Sequence, residues 1–439
     1  MTTSHTYSPA GDSTFPERLN PLVHKLRPSA TLAINEQSAL LTRQGRKVYK
    51  LGFGQSPFPV PAPVVAALQS NALQKDYLPV KGLAELRGAV ADYYRRCYNL
   101  PATAEDILIG PGSKELIFQA QFAYAADLVL PSPSWVSYEP QAQLLGRRVD
   151  WLPTEQRDGW RLKPEALEEF CRKEPQRSRL LILNYPNNPT GLTLRVTELE
   201  GLARVAQKYR LLVLADEIYG GLDHAGQHSS IAQYYPEGTI ISGGLSKWCG
   251  AGGWRLGTFY FPPGLRWLLE AMACIASETY STATAPVQYA AVRAFQMGVE
   301  IEAYLGQARR ILRALGGLVS RRLQTLGVNA HEPEGGFYLF PDFTPHAAKL
   351  RDRGVTSSLE LCERMLADTG VALLPGADFG RPSSELTCRL AYVDFDGSRC
   401  LAAAETLPNE EVLGEEFLRE YSGDVLIALD LIGEWLQKC

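Results

Sequence analysis

Between about residues 105 and 262 the chain alternates short, wholly apolar runs with longer stretches of helical periodicity. The runs are Ile107 to Ile109, Leu128 to Leu130, Leu180 to Leu183, Leu211 to Leu214, Thr239 to Ile241 and Thr258 to Phe261. A strand with one face in water alternates apolar and polar residues, whereas a strand without alternation is buried on both faces. Six such runs imply a mostly parallel sheet covered by helices, an α/β fold. In sheets of that kind ligands sit beyond the carboxyl ends of the strands. Ser113, Asn188, Asp216 and Lys247 each lie just after a run, at that edge.

The residue types at that edge suggest chemistry. Lys247 follows Ser246 and precedes Arg255 by eight positions, in a glycine-rich segment running from Ser242 to Gly257. A lysine amine of lowered pKa can form a Schiff base with an aldehyde cofactor, and an arginine can hold that cofactor's phosphate. Gly112-Ser113-Lys114 falls between an apolar run and a helical pattern, where free N–H groups and the helix dipole favour an anion. Asp216 ends an apolar run, so its carboxylate is costly unless paired; a helix N-cap is the structural alternative. Arg389, inside Cys-Arg-Leu-Ala-Tyr, is likewise expensive without a partner, either a bound carboxylate or a structural ion pair.

Other classes of function fit less well. The balance of 44 basic and 48 acidic residues gives a net charge of −4, with no general attraction for nucleic acid or anionic membrane. The first residues lack a basic-then-apolar leader, and no run approaches about 18 apolar residues, so a cytoplasmic location is the expectation. The eight cysteines contain no Cys-x-x-Cys pair, which predicts reduced thiols, and Cys249 is read as a packing residue. His224 and His228 have the spacing of a metal pair on a helix, but Ala-Gly-Gln between them reads as a hairpin tip, and no metal site is expected.

Three segments carry a family resemblance: Leu180 to Gly191, with Asn-Pro-Thr-Gly at its end, Leu211 to Leu222, and Ser242 to Gly257. Their order and spacing resemble the class I aminotransferases, pyridoxal 5'-phosphate enzymes of fold type I, over roughly residues 27 to 400. The resemblance implies a homodimer and a set of roles. Lys247 would carry the Schiff base and shuttle the proton, and Asp216 would keep the cofactor's ring nitrogen protonated so that the ring acts as an electron sink. Asn188 and Tyr219 would donate to its phenolic oxygen. Gly112, Ser113, Lys114, Ser246 and Arg255 would surround the phosphate, joined by Tyr77 from a neighbouring subunit; subgroups with a serine three positions before the lysine have Gly244 here. Trp135 would stack on the ring, Gly54 would close over the substrate, and Arg389 would take its α-carboxylate.

The subgroup echoed most is the bacterial-type aspartate aminotransferases, through Pro28-Ser29-Ala30-Thr31, Ser134-Trp135-Val136-Ser137-Tyr138, Gly253-Trp254-Arg255 and Gly335-Gly336-Phe337-Tyr338. Another aspartate-specific subgroup uses a neighbouring subunit's arginine for the distal carboxylate, and Glu278-Thr279-Tyr280-Ser281 offers none. Lys114 matches the lysine that the bacterial type uses instead. The expected reaction is transfer of an amino group, from aspartate to 2-oxoglutarate, in ping-pong half-reactions. Aromatic, prephenate-type or broad specificity, a carbon–sulfur lyase and an aminocyclopropane carboxylate synthase are the alternatives.

The expected layout is a tail over 1–26, a first part of a small domain over 27–60, a large cofactor-binding domain over 61–305, and the rest of the small α+β domain over 306–439. Within the last, 405–424 holds seven acidic residues against one arginine and is read as a solvated insertion.

Overall fold

The computed structural model describes residues 19–24, 26 and 30–438. Most of the expected tail, together with Pro28 and Ser29, lies outside the described residues. A seven-stranded sheet forms the centre: β1 (Ile107–Gly110), β2 (Asp127–Ser132), β3 (Val149–Pro153), β4 (Arg179–Asn184), β5 (Leu212–Asp216), β6 (Thr239–Gly244) and β7 (Gly257–Tyr260). The strand order is β1-β7-β6-β5-β4-β2-β3, and β7 alone runs antiparallel to its neighbours.

The apolar runs become strands because both faces are covered. In β4, Leu180 and Ile182 pack with Leu116, Ile117, Leu268 and Met272 on one side. Leu181 and Leu183 pack with Leu167, Leu199 and Leu202 on the other. Each fully buried leucine or isoleucine contributes about 1.5–3 kcal/mol on either face, so polarity alone does not set the register; the fit of the side chains on each face and the connections do. The run pattern did not reveal β3, whose edge position leaves Val149, Asp150 and Trp151 only partly buried and its sequence mixed.

A second sheet holds β8 (Tyr338–Leu339), β9 (Leu374–Pro375) and β10 (Cys388–Ala391), in the order β8-β10-β9 and antiparallel. The N-terminal segment joins it: Ala391 N–H donates to Leu51 O at 2.7 Å, and Ala372 N–H to Tyr49 O at 3.0 Å. The boundary expected at 305/306 falls inside one unbroken helix, Val299–Thr325, because its glycines are accommodated within a continuous apolar stripe from Ile301 to Leu323. Most of the 405–424 segment is exposed, and a few points tie it to the fold. Glu415–Tyr421 is a helix, Leu413 and Leu418 are buried, and Arg310 donates to the Pro408 and Glu411 carbonyls. Its acidic side chains outline one face, and its leucines anchor the other.

Candidate active site

The ladder sets Asn184, Asp216 and Ser242 side by side at the carboxyl ends of β4, β5 and β6. Asp216 is 3% exposed. Its Oδ2 accepts from the Tyr138 hydroxyl at 2.6 Å, while its backbone carbonyl accepts from Asn184 Nδ2 at 2.7 Å. Oδ1 is buried with no hydrogen-bond donor among the described residues. Burial pushes the carboxyl up to about 6, tempered by the Tyr138 hydroxyl and, more weakly, by the nearby Ser242 hydroxyl and Ile218 N–H, neither of which makes a well-formed bond to Oδ1. An oxygen in that state is a receptor for an N–H group, above all a charged one.

Lys247 follows β6 and donates from Nζ to Gly54 O at 2.6 Å. Burial, then repulsion from Arg389, lowers its amine to about 8, a bias of roughly 3 kcal/mol against the ammonium. A neutral fraction is therefore available near pH 7, which nucleophilic attack on a carbonyl requires.

An anion cup lies beside it. The helix Ser113–Ala123 starts without a side-chain cap, leaving N–H groups of its first turn open. Gly112 has φ +98°, and a Cβ there would collide with Arg255 Nη2. Glycine is thus required both by the turn and by the close guanidinium. Arg255 donates to Gly252 O at 2.9 Å and has no acidic partner among the described residues.

Arg389, 3% exposed on β10, donates to Asn188 Oδ1 at 3.1 Å and to Gly52 O at 2.7 Å. Its Nε lacks an acceptor, and no carboxylate lies within salt-bridge distance among the described residues. The structural ion pair is absent there, leaving a desolvated cation able to take a carboxylate in two-pronged fashion.

Of the residues selected from sequence, Gly54, Ser113, Lys114, Trp135, Asn188, Asp216, Tyr219, Ser246, Lys247 and Arg255 line one cavity of about 460 Å³. Lys114 stands over the Trp135 ring at 5.0 Å, and partial burial of its ammonium, then repulsion from Arg255, lowers its pKa although much of the side chain reaches solvent. Gly112 and Arg389 support the cavity from just behind its wall. Tyr77 is outside it and 90% exposed. Asn187 serves the turn, accepting from Thr190 N–H at 3.1 Å. His224 faces the Pro333 and Gly336 carbonyls, each at 3.0 Å, whereas the His228 side chain is buried with Nε2 3.1 Å from Glu217 Oε2 and neither ring nitrogen in a well-formed hydrogen bond. Cys249 is fully buried, and burial pushes its thiol up to about 12.

Three residues were given no site role from the sequence. Tyr138 and Tyr338 stand in the segments that carry the subgroup resemblance, but nothing local tells what their hydroxyls meet. Asn184 closes the β4 run opposite Asp216, a pairing known only from register. Tyr338, whose hydroxyl is 2.8 Å from that of Tyr219, comes from the other sheet.

A desolvated lysine and a buried, half-satisfied aspartate at the carboxyl edge of a mostly parallel sheet, next to an anion cup, define the pyridoxal phosphate type of active site on fold type I. Comparison with known proteins agrees. The family model for aminotransferase class I and II matches residues 46–394. The aspartate aminotransferase of Bacillus subtilis is 31% identical over 379 residues, 84% of this chain and 93% of that protein. The aspartate/prephenate aminotransferase of Thermus thermophilus is 32% identical over 362 residues, 81% of this chain and 90% of that protein. A solved structure of Thermus thermophilus aspartate aminotransferase with maleate superposes with a TM-score of 0.81 at 28% identity, covering 95% of this chain and all of that one. The chain belongs to the class I and II aminotransferases and is a pyridoxal phosphate-dependent enzyme. The orphaned Asp216 Oδ1, the depressed Lys247 amine and the Gly112 cradle fit that coenzyme's ring nitrogen, aldehyde and phosphate.

Proposed function

We propose that the chain transfers the amino group of aspartate to 2-oxoglutarate. The observation that carries this reading is Lys114, a cation lining the cavity with no acidic partner among the described residues and distinct from the Lys247 and Arg255 assigned to the coenzyme, in addition to the desolvated Arg389 just behind the wall. Two separated cations suit a dicarboxylate, and both aspartate and 2-oxoglutarate are dicarboxylates, so one pair serves both half-reactions. The names of the Bacillus and Thermus relatives point the same way. Prephenate also carries two carboxylates, and the Thermus relative's name keeps it as a second acceptor.

The coenzyme supplies the electron sink when bound. Asp216, held by Tyr138 and Asn184, keeps a proton at the ring nitrogen. Lys247, whose lowered pKa lets Nζ take up and release a proton near neutral pH, moves it at the substrate's α-carbon. Asn188 and Tyr219 donate to the phenolic oxygen, and Trp135 covers the ring. Gly112, Ser113, Ser246 and Arg255 hold the phosphate. Arg389 binds the α-carboxylate, Lys114 the distal one, and Gly54 keeps the loop close over the substrate.

The exposed Tyr77 supports a homodimer in which its hydroxyl completes the phosphate cup of a second copy. The large domain is proposed to span 61–305 and the small domain to combine 27–60 with 306–439. Among the described residues no helix is long and apolar enough to cross a membrane, and a cytoplasmic setting is proposed. Coenzyme-loaded protein mixed in single turnover with a panel of amino acids tests the reading. Aspartate should release its keto acid fastest; faster release from alanine or phenylalanine would overturn it.

A further inference from the structure

Tyr219 and Tyr338 bury their hydroxyls against each other, 2.8 Å apart, with the two residues 3% and 1% exposed. They come from opposite sides of the active site. Tyr219 follows β5 and lines the cavity, whereas Tyr338 belongs to β8 of the small sheet and does not. The pair contains two O–H donors, but only one can point along the line between the oxygens. The other hydrogen therefore needs an acceptor elsewhere. If Tyr219 donates to Tyr338, the unspent hydrogen belongs to Tyr338, which has no other hydrogen-bond partner among the described residues. If Tyr338 donates to Tyr219, the unspent hydrogen belongs to Tyr219, at the cavity. Once an acceptor enters the cavity, only the second arrangement leaves no buried donor unpaired.

Two further contacts fix Tyr338 in that position. Its ring lies under the Arg389 guanidinium, 4.8 Å from ring centre to carbon. Its hydroxyl occupies the space where a Cβ at Gly54 would be, so the loop whose carbonyl holds Lys247 packs directly on it.

We propose that Tyr338 is a positioning residue for the transamination: its hydroxyl strengthens the hydrogen bond that Tyr219 donates to the coenzyme, and its ring seats the carboxylate-binding Arg389. This rests on the reading of Tyr219 as the donor to the coenzyme's phenolic oxygen. A hydroxyl that accepts one hydrogen bond is a better donor of the next, because the two polarise each other. A bond donated to the phenolic oxygen draws density from it and weakens its hold on a proton at Lys247 Nζ. Loss of the Tyr338 hydroxyl therefore raises the pH at which that proton leaves.

The test is a spectrophotometric pH titration of the coenzyme-loaded protein with four chains: wild type, Tyr338→Phe, Tyr219→Phe and the double variant. The midpoint of the visible band should rise by a fraction of a pH unit in Tyr338→Phe and further in Tyr219→Phe, with no additional rise in the double variant. A wild-type midpoint in Tyr338→Phe, alongside a raised one in Tyr219→Phe, would overturn the relay and leave the Tyr219 assignment standing. An unmoved midpoint in Tyr219→Phe would overturn that assignment and the relay with it. Steady-state kinetics separate hydroxyl from ring: Tyr338→Phe should keep the wild-type KM for aspartate, and Tyr338→Leu should raise it several-fold. Equal KM values in the two variants would refute the seating of Arg389.

Discussion

Arg389 Nη1 lies 3.1 Å from Asn188 Oδ1, joining the small sheet to the loop after β4 through two side chains proposed to hold substrate and coenzyme. The contact engages the asparagine's carbonyl oxygen and so orients the amide with its N–H groups free to donate. It also means that the arginine is preset before a carboxylate arrives.

Arg389→Lys should therefore lower kcat/KM for every amino acid tested by about two orders of magnitude, the loss expected when a two-pronged, desolvated pairing of a few kcal/mol becomes a point contact. Coenzyme affinity, measured by fluorescence titration, should change little. A large loss of coenzyme affinity would move Arg389 from the substrate to the cofactor.

Asp216→Ala should reduce the single-turnover rate far more than Tyr219→Phe, because the carboxylate holds the proton that makes the ring an electron sink whereas the phenol only tunes it. Tyr138→Phe should fall between wild type and Asp216→Ala, since Oδ2 loses its hydroxyl partner while the carboxylate remains. Rates need to be compared at coenzyme saturation, and similar values for Asp216→Ala and Tyr219→Phe would count against these roles.

The raised carboxyl of Asp216 has a consequence for the coenzyme-free protein. A folded-state pKa of about 6 against an ordinary 3.8 means that the folded chain binds this proton more tightly than the unfolded chain. The resulting stabilisation is full below about pH 4 and is lost as pH rises to about 6, up to roughly 3 kcal/mol. Thermal melts across that window should show Asp216→Asn gaining relative to wild type as pH rises. Parallel Tm profiles for the two proteins would contradict the shift.

Lys114→Gln should cut aspartate kcat/KM by about tenfold or more while sparing alanine, because only the dicarboxylate loses a charged partner. Equal losses for both substrates would assign Lys114 to the phosphate or to folding.

Co-assembly of a Lys247→Ala chain with a Tyr77→Phe chain tests the shared site. In a mixed dimer one of the two sites should have all its native residues, and activity should return above that of either variant alone. No recovery in verified mixed dimers would refute a Tyr77 contribution across subunits.

The sequence by itself determined six of the seven strands of the central sheet and most of the residues that gather at the cavity. Apolar runs such as Leu180 to Leu183 can be stable only with both faces covered, and a chain so built must turn at the carboxyl ends, where Asp216, Asn188 and Lys247 were visible as polar residues following apolar ones. Local chemistry also marked Gly112 and Arg255, since a glycine before a helix start and a cation in a glycine-rich loop are features of neighbouring residues. Tertiary structure alone decided the rest. The Tyr138 bond to Asp216 spans 78 positions, and the Tyr219 and Tyr338 hydroxyl pair spans 119. The edge strand β3, the unbroken helix across 305/306 and the buried leucines of the acidic segment depend on what packs against them. Periodicity records whether a residue is covered, but it carries no record of which distant side chain does the covering, and the fine geometry of this site is made of such distant pairs.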